Sequence, residues 1–306
     1  MVKRGTVIAL GYFDGVHRGH QALLNRAVQR ANEEHAVPAA FTFDVHPASQ
    51  ILGRQIPQLS TPDDREGLMR RCCGIKEVKV GCFHDMMRMP WRSFVTDYLV
   101  GELGAVRVVA GHDFHFGYRG EGNPQRLQEL CREIGIGCDI IQKVELDGIT
   151  ISSTYIRNLV AQGEMERARE FLGHPHVFSG VVVHGKALGR TIGFPTANLI
   201  LPQDIVVPAH GVYATKVFLP DGRTYMAVTN VGVRPSVDDG NAITVEPWLL
   251  DFDGDLYGQT IRVEFYARLR EERKFKELSE LTKMVHYNGE QTRAYFQTRS
   301  NSGSEG

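Results

Sequence analysis

The amino-acid sequence predicts two domains of different class, an α/β domain followed by an all-β domain. The chain has 306 residues, more than one ordinary domain needs and enough for two. Its first half alternates short apolar runs with helical patterns, which is typical of a parallel sheet covered by helices. Its second half has β-branched runs separated by Gly, Pro, Asn and Asp, which predicts an antiparallel barrel or sandwich. We expect domains at 1–175 and 176–298, and a flexible tail at 299–306.

Five short apolar runs predict the strands of the first domain, and four amphipathic segments between them predict its helices. The run Thr6–Leu10 reads as a buried strand, and the helix after it carries Leu23, Leu24, Ala27 and Ala31 on one face. The predicted strands lie at 6–10, 37–43, 77–80, 106–110 and 138–142. The predicted helices lie at 19–32, 64–73, 91–103 and 124–134, and two more short ones at 154–172.

The second half has its own turn and helix signals. Leu219–Thr224, with Pro-Asp-Gly at its tip, predicts a hairpin. An apolar stripe over 276–297 predicts a helix at the end of the chain.

Charge and cysteine content exclude several classes of protein. The chain has 35 Lys and Arg against 36 Asp and Glu, so it lacks the basic excess of a constitutive nucleic-acid binder. No apolar run is long enough for a signal sequence or a membrane span. The 5 cysteines form no CxxC pair, which favours reduced, buried thiols in a cytoplasmic protein over a disulfide framework or a metal site.

The first chemical motif, Gly11-Tyr-Phe-Asp-Gly-Val-His-Arg-Gly-His20, follows the first predicted strand. Its glycines let the backbone turn sharply and approach a ligand closely. The next helix presents free N–H groups and a partial positive charge, and His17 and His20 can face the same anion there. This suits the charge that develops on an α-phosphate during nucleotidyl transfer. A glycine turn with two surface histidines is the structural alternative.

A second candidate anion site is Ile151-Ser-Ser-Thr-Tyr-Ile-Arg157. Ser152, Ser153 and Thr154 offer hydroxyls and a helix cap, and Arg157 follows one turn later. These groups suit the β- and γ-phosphates of a nucleotide, although the segment alone could be a capped helix only.

A third segment, Val109-Ala-Gly-His-Asp-Phe-His-Phe-Gly117, begins at a strand end. Phe114 and Phe116 can stack on a planar ring, and Asp113 can orient ribose or ring groups. The alternative is a loop with an aromatic core. His46, in the turn after strand 37–43, could face the same pocket or hydrogen-bond its own loop.

The β domain contains a turn-rich run that ends in Thr196 and Asn198. Glycines at 185, 189 and 193 suggest a backbone wrapped around phosphate, although the GK[ST] ending of a P-loop is missing. Thr196 and Asn198 are neutral oxygen donors on one face of a strand, so they could hold Mg²⁺ together with the phosphates of ATP. A turn-rich hairpin is the alternative.

Glu246 lies in the otherwise apolar segment Thr244-Val-Glu-Pro-Trp-Leu-Leu. A carboxylate there can accept a hydroxyl proton, whereas a solvated strand face would make it structural. Pro247 predicts an edge strand or a bulge, because proline lacks the ladder N–H. Asn230 begins NVGVRPS, which is typical of a positioning loop.

The order of these motifs resembles one family. GYFDGVHRGH, GHDFHFG and ISSTYIR, followed by GRTIGFPTAN, NVGVRPS, VEPWLLD and LYG, occur as in the prokaryotic bifunctional riboflavin kinase/FAD synthetases. The resemblance covers about residues 5–298. It implies a Rossmann-like nucleotidyltransferase domain of the HxGH type, then a flavokinase-like antiparallel β-barrel with a C-terminal helix. The first would adenylylate FMN with ATP, giving FAD and pyrophosphate. The second would phosphorylate riboflavin with ATP and Mg²⁺, giving ADP and FMN as the intermediate.

By motif position, the resemblance also implies residue roles. The catalytic residues would be His17, His20 and Glu246. ATP and its phosphates would be bound by Gly11, Phe13, Asp14, Gly15, Ser152, Ser153, Thr154, Arg157, Gly185, Gly189, Arg190 and Gly193. Flavin and nucleotide would contact Asp113, Phe114, Phe116, Phe194, Pro195 and Asn230. Thr196 and Asn198 would ligate Mg²⁺. The chain departs from the family at Asn288, where Asp is frequent.

Two other functions stay open. One is an adenylyl- or cytidylyltransferase for another small phosphate, with a degenerate kinase module. The other is a regulatory protein that binds flavin without turnover. We expect small-molecule partners and neither nucleic acid nor membrane, and the sequence does not give the oligomeric state.

Overall fold

The computed structural model describes residues 5–184, 194–202, 204–235 and 241–301. The chain divides into two compact units, Met1–Ile56 with Pro62–Ser153, and Pro57–Thr61 with Thr154–Gly306. The domain boundary that we place at residue 175 stays a prediction. The phosphate-binding residues predicted at Gly185, Gly189, Arg190 and Gly193 lie outside the described residues.

The first unit is built on a five-stranded parallel sheet, which confirms the predicted α/β class. Its strands are β1 (Thr6–Leu10), β2 (Val37–Phe43), β3 (Glu77–Gly81), β4 (Ala105–Gly111) and β5 (Gly137–Ile141). The order across the sheet is β3-β2-β1-β4-β5. From β1 the chain adds β2 and β3 on one side of β1, and then β4 and β5 on the other side. Open α/β sheets bind ligands at the carboxyl edge beside such a change in strand order.

The helices predicted for this unit are present, with one difference in type. The helices of this unit are α1 (Arg18–Glu33), α2 (Pro47–Leu52), α3 (Pro62–Cys73), α4 (Phe83–Met86), α5 (Trp91–Ser93) and α6 (Pro124–Ile134), of which α2 and α4 were not predicted. The segment predicted as one helix over 91–103 is α5 followed by a π-helix, Phe94–Glu102. A π-helix differs from an α-helix in its i→i+5 hydrogen bonds, and a segment of nine residues is too short for its apolar pattern to distinguish the two.

The second unit is a closed, six-stranded antiparallel barrel with helices, which decides between the barrel and the sandwich. A short hairpin of β6 (Glu145–Leu146) and β7 (Ile149–Thr150) lies near the end of the first unit. The helices α7 (Ser153–Gln162) and α8 (Met165–Leu172) then lead into the barrel. The barrel strands are β8 (His176–Val183), β9 (Asn198–Ile200), β10 (Gly211–Phe218), β11 (Thr224–Pro235), β12 (Asn241–Leu249) and β13 (Thr260–Glu271). The chain then forms α9 (Leu278–Asn301).

Two turn-forming residues fit the barrel for identifiable reasons. The predicted hairpin joins β10 to β11, and Gly222 has a φ of 89° there, which other residues rarely adopt. Pro247 lies in β12, which the closed barrel pairs on both sides, so the expected edge strand is wrong. The carbonyl of Pro247 accepts from the amide of Ala197 at 2.9 Å. In an antiparallel strand, the N–H and C=O of one residue point to the same neighbouring strand. The N–H that Pro247 lacks would therefore point to the segment before β9, and no hydrogen bond between β12 and β11 is lost.

The barrel interior is filled by aromatic and β-branched side chains. Phe265 lies 5.5 Å from Phe178 and 5.6 Å from Tyr213, measured between ring centroids. The buried hydroxyls of Thr215 and Thr229 bond each other at 2.7 Å, so these two polar groups are satisfied inside the barrel. Among the helices of the described ranges, none is both long and apolar enough to cross a membrane.

All five cysteines are free, as expected, but not all are buried. Cys73 and Cys131 are buried, Cys138 is intermediate, and Cys72 and Cys82 are exposed. The expectation of uniformly buried thiols is therefore wrong for Cys72 and Cys82. Cys72 is adjacent to the buried Cys73 on α3, and neighbouring helical residues point in different directions.

Candidate active sites

A cavity of about 970 Å³ opens at the carboxyl ends of β1, β4 and β5 in the first unit. Three of the sequence motifs meet around it, although they are separated by many residues in the chain. Parallel strands end at the same edge of a sheet, so segments that follow different strands become neighbours there. The predicted residues that line the cavity are Gly11, Phe13, His17, His20, Asp113, Phe114, Phe116, Ser152 and Ser153.

The turn from β1 into α1 has an unusual backbone. Phe13, Gly15 and Val16 have φ values of 60°, 72° and 41°. A β-branched residue at positive φ costs about 1–3 kcal/mol, so the surrounding structure must hold it. Thr42 donates to the carbonyl of Tyr12 at 2.9 Å, and Gln21 donates to that of Val16 at 2.9 Å. Such strain is typical of sites where geometry is prepared for a ligand.

His17 and His20 form a stacked pair at the start of α1. His17 caps the helix, and its Nδ1 accepts from the backbone N–H of His20 at 3.2 Å. The two rings lie 3.6 Å apart between centroids, inclined by 15°. Because Nδ1 of His17 accepts a hydrogen bond, its neutral ring carries the proton on Nε2. A Cβ at Gly19 would lie 3.1 Å from the His17 ring, so glycine leaves the pair its space.

His20 is held in the neutral form. Burial first, and then the electrostatic influence of His17 and of the Arg65 guanidinium, hold the pKa of His20 well below its ordinary value of 6.5. Within the described residues, its buried Nδ1 has no hydrogen-bond partner. His20 is therefore an uncharged imidazole at neutral pH, and it faces a cavity whose helix N-terminus favours anions.

Aromatic rings form one wall of the cavity. Phe114 stacks on Phe116 at 5.5 Å, and Phe116 packs on Phe94 at 5.3 Å. Gly117, at a φ of 74°, lets the loop pass Trp91, because a Cβ there would lie 2.6 Å from the Trp91 Cα. Sequence reasoning missed other lining residues, which come from elements that carry no motif: Phe43, Ile51, Phe83, Met86, Met87 and Tyr118.

Other predicted residues of the first motif set lie differently. Asp14 and Gly15 are buried in the turn, and the Asp14 carbonyl accepts from Ser153 Oγ at 3.2 Å. Thr154 and Arg157 belong to the second unit, where Arg157 Nη1 donates to Thr154 Oγ1 at 3.4 Å. His46 caps α2, with its Nδ1 accepting from Ser49 N at 3.4 Å, and its ring packs on Tyr12. Of its two alternatives, the hydrogen bond within its own loop is the observed one.

A second group of predicted residues forms a row across three barrel strands. Asn230 of β11 pairs directly with Glu246 of β12. On the other side of β12, Val245 pairs with Leu199 and Trp248 with Thr196, and that same register sets Asn198 opposite Glu246. Residues directly opposite in antiparallel strands share a face, with Cβ atoms about 4.5–5.5 Å apart. Asn198, Glu246 and Asn230 therefore lie side by side.

Phe194 anchors the segment that leads into this row. Its buried ring contacts Trp248 edge-on at 4.8 Å and His286 of α9 at 4.7 Å. Gly289 lets α9 approach, since a Cβ there would lie 3.1 Å from the Trp248 ring. Pro195 next to it is exposed, and Thr196 is half-buried.

The chain is similar to known proteins along nearly its whole length. A family model described as FAD synthetase matches residues 1–155, and one described as riboflavin kinase matches residues 172–296. A protein of Bacillus subtilis (strain 168) named bifunctional riboflavin kinase/FMN adenylyltransferase is 36% identical, over 95% of this chain and 92% of that protein. A protein of the same name from Pseudomonas fluorescens is 37% identical, over 92% of this chain and 90% of that protein. The Escherichia coli K12 protein of that name is 34% identical over 96% and 94%.

A solved structure has a similar fold along nearly the whole chain. It is a crystal structure described as a macrolide-efflux protein from Streptococcus pneumoniae, with a TM-score of 0.82 and 31% identity. The similarity covers 96% of this chain and 95% of that one.

Proposed function

The chain belongs to the family of bifunctional riboflavin kinase/FMN adenylyltransferases, and we propose how its residues divide the two reactions. The protein phosphorylates riboflavin to FMN and adenylylates FMN to FAD with release of pyrophosphate. The observation that carries this assignment is that two different family models match separate parts of one chain, 1–155 and 172–296.

The cavity of the first unit is our proposed site of adenylyl transfer. There the FMN phosphate attacks the α-phosphorus of ATP, a new P–O bond forms, and the bond to pyrophosphate breaks. Negative charge grows on the α-phosphate oxygens and on the leaving group during that step. His17 and His20 would donate hydrogen bonds to those oxygens from neutral rings, and the N-terminus of α1 adds its partial positive charge. Gly11 and Gly15 would let the backbone of the turn between β1 and α1 approach the phosphates closely. Phe13 and Asp14 lie between them in the same turn.

The aromatic wall supports binding of a planar ring in the same cavity. Phe114 and Phe116 present a stacked pair, and apolar side chains from other elements surround them. Offset stacking on such rings contributes about 0.5–1.5 kcal/mol beyond burial. Asp113, whose side chain is 81% exposed, would bond ribose or ring groups. Ser152 and Ser153 would contact the phosphates, and Thr154 and Arg157 keep the phosphate role that the family resemblance implies.

The row in the barrel is our proposed kinase centre. Glu246 would accept the proton of the riboflavin 5′-hydroxyl as that oxygen attacks the γ-phosphorus of ATP and ADP leaves. Asn230, opposite Glu246, would orient the hydroxyl or the flavin. Phe194 and Pro195 would border the flavin, with Phe194 held by Trp248 and His286. Gly185, Gly189, Arg190 and Gly193 keep their predicted phosphate role.

The residues at this centre fit a magnesium ion. Within the described residues, no group of three or more His, Cys, Asp or Glu could hold a metal on its own. Mg²⁺ in kinases needs no such cage, because it keeps waters and shares its shell with phosphates. Thr196 and Asn198 offer a hydroxyl and an amide oxygen beside Glu246, so they would hold it. When bound, Mg²⁺ neutralises charge on the transferring phosphate.

Product analysis tests both assignments on one sample. Purified protein is incubated with riboflavin, ATP and Mg²⁺, and the flavins are separated over time. FMN should appear first and FAD after it, with pyrophosphate in equal amount to FAD. FMN without FAD would remove the adenylyltransferase assignment, and FAD from supplied FMN without turnover of riboflavin would remove the kinase assignment.

The same proposal covers partners and location. Riboflavin, FMN, FAD, ATP, ADP and pyrophosphate would be its small-molecule partners. Five free cysteines suit a reducing compartment, and we propose the cytoplasm.

A further inference from the structure

Arg65 on α3 carries a buried charge that the roles above do not use. Its side chain is 1% exposed. Nη2 donates to the carbonyl of Phe43 at 3.1 Å. Nε and Nη1 are buried without a hydrogen-bond partner in the described part of the chain. A buried guanidinium with two unsatisfied donors is costly, so its presence calls for a reason.

The surroundings of Arg65 connect it to the adenylyl-transfer cavity. Its guanidinium lies 4.2 Å from the centroid of the Tyr12 ring, a cation–π distance. Tyr12 and Phe43 both line the cavity, one in the turn after β1 and the other at the end of β2. Arg65 thus contacts two neighbouring strand ends at once, from behind the cavity wall.

The charge of Arg65 also acts on the histidine pair. It is one of the charges that lower the pKa of His20, after burial and His17. A charge that is felt by His20 is also felt by an anion beside His20. Arg65 is buried, and solvent and salt screen a buried charge less than an exposed one.

We propose that Arg65 is a positioning residue for adenylyl transfer. It holds Tyr12 and Phe43 in place, and its fixed positive charge near the histidine pair favours binding of the ATP triphosphate. It does not line the cavity, so it acts through the two aromatic residues and through its field. The inference rests on the function proposed above for this cavity.

Two substitutions separate the charge from the packing. Arg65→Lys keeps the charge but loses the planar stack on Tyr12, and Arg65→Met keeps most of the volume but removes the charge. Arg70→Met is the matched control, because Arg70 is on the same helix and pairs with Glu66 at the surface. Riboflavin phosphorylation by the same samples reports on the rest of the chain.

The assay is steady-state FAD formation from FMN with ATP varied. We expect Arg65→Met to raise KM for ATP by about 10- to 100-fold, the range of a lost charged interaction. Arg65→Lys should keep KM for ATP near that of the unmodified protein and lower kcat. Arg70→Met should change neither, and riboflavin phosphorylation should persist in all three. By NMR, the pKa of His20 should rise in Arg65→Met and stay low in Arg65→Lys.

Specific results would overturn the inference. An unchanged KM for ATP in Arg65→Met, or equal rises in KM in the Met and Lys variants, would reduce Arg65 to a packing residue. An unchanged His20 pKa in Arg65→Met would remove the electrostatic part. If the unmodified protein made no FAD, the proposed function would fall first and this inference with it.

Discussion

Gly19→Ala tests whether the stacked histidine pair is built to a narrow tolerance. Gly19 lies between His17 and His20, in the first turn of α1. A Cβ there would lie 3.1 Å from both Nδ1 and Cε1 of His17. Comfortable contacts begin near 3.5 Å, so the ring must retreat by about 0.4 Å.

The magnitude follows from what that retreat does to the pair. The bond from the His20 N–H to His17 Nδ1 is 3.2 Å long. A shift of about 0.4 Å takes it to roughly 3.6 Å, which is no longer a hydrogen bond. Losing one such bond costs about 0.5–1.5 kcal/mol, so kcat/KM for FAD formation should fall by about 2- to 13-fold.

The assay compares FAD formation from FMN with FMN formation from riboflavin in the same sample. Riboflavin phosphorylation should stay unchanged. The unfolding free energy should also stay nearly unchanged, because the gain in helix propensity from glycine to alanine, about 1 kcal/mol, offsets the lost hydrogen bond. Gly101→Ala is the control, because its nearest atom, the Thr96 carbonyl oxygen, would lie at 3.4 Å, an ordinary contact. Full FAD formation by Gly19→Ala would refute the reasoning that the ring positions matter at this scale.

Three further predictions concern the separate sites, pH and the C-terminal helix. His20→Ala should lower FAD formation by about 10²- to 10³-fold and leave FMN formation intact, while Glu246→Ala should do the reverse; equal loss of both activities in each variant would argue against two sites. Because the folded pKa of His20 lies below its unfolded value, the unfolded state binds the proton first, so the contribution of His20 to stability should be fully present above its unfolded pKa and should fall as the pH drops below it. Denaturant titrations at several pH values should show a shallower fall in His20→Gln, and an unchanged fall would contradict the assignment. Asn288→Leu should destabilise the second unit by about 1–3 kcal/mol, because Asn288 Oδ1 accepts from the half-buried Arg270 Nε at 3.1 Å; an unfolding midpoint equal to that of the unmodified protein would show that the bond contributes nothing.

Much of the fold could be predicted because its signals are local. Apolar runs bounded by turn residues predicted the five parallel strands, and helical periodicity predicted α1, α3 and α6. Helices α2 and α4 escaped prediction because they span six and four residues, too few to show a period. The π-helix at 94–102 escaped because hydrogen-bond pattern, rather than residue type, defines it.

The site was predictable where one motif supplies it and unpredictable where packing does. His17 and His20 stand in one short segment, so the sequence alone predicted that they lie close together. Arg65 carries no motif, and only the fold of α3 against the β1–α1 turn makes it a buried charge. Phe83, Met86 and Met87 likewise become cavity residues only because α4 follows β3 at the carboxyl edge.

By itself the sequence determined the two domain classes, the motifs and the family, since these depend on residue type and on short spacings along the chain. Only the tertiary structure decided that Asn198 and Asn230 flank Glu246, because strand register is a relation between distant segments. It also decided that the histidines stack, that His20 stays neutral, and that Arg65 lies behind Tyr12. Burial and the position of neighbouring charges produce those properties, and both depend on contacts between segments that are distant in the sequence.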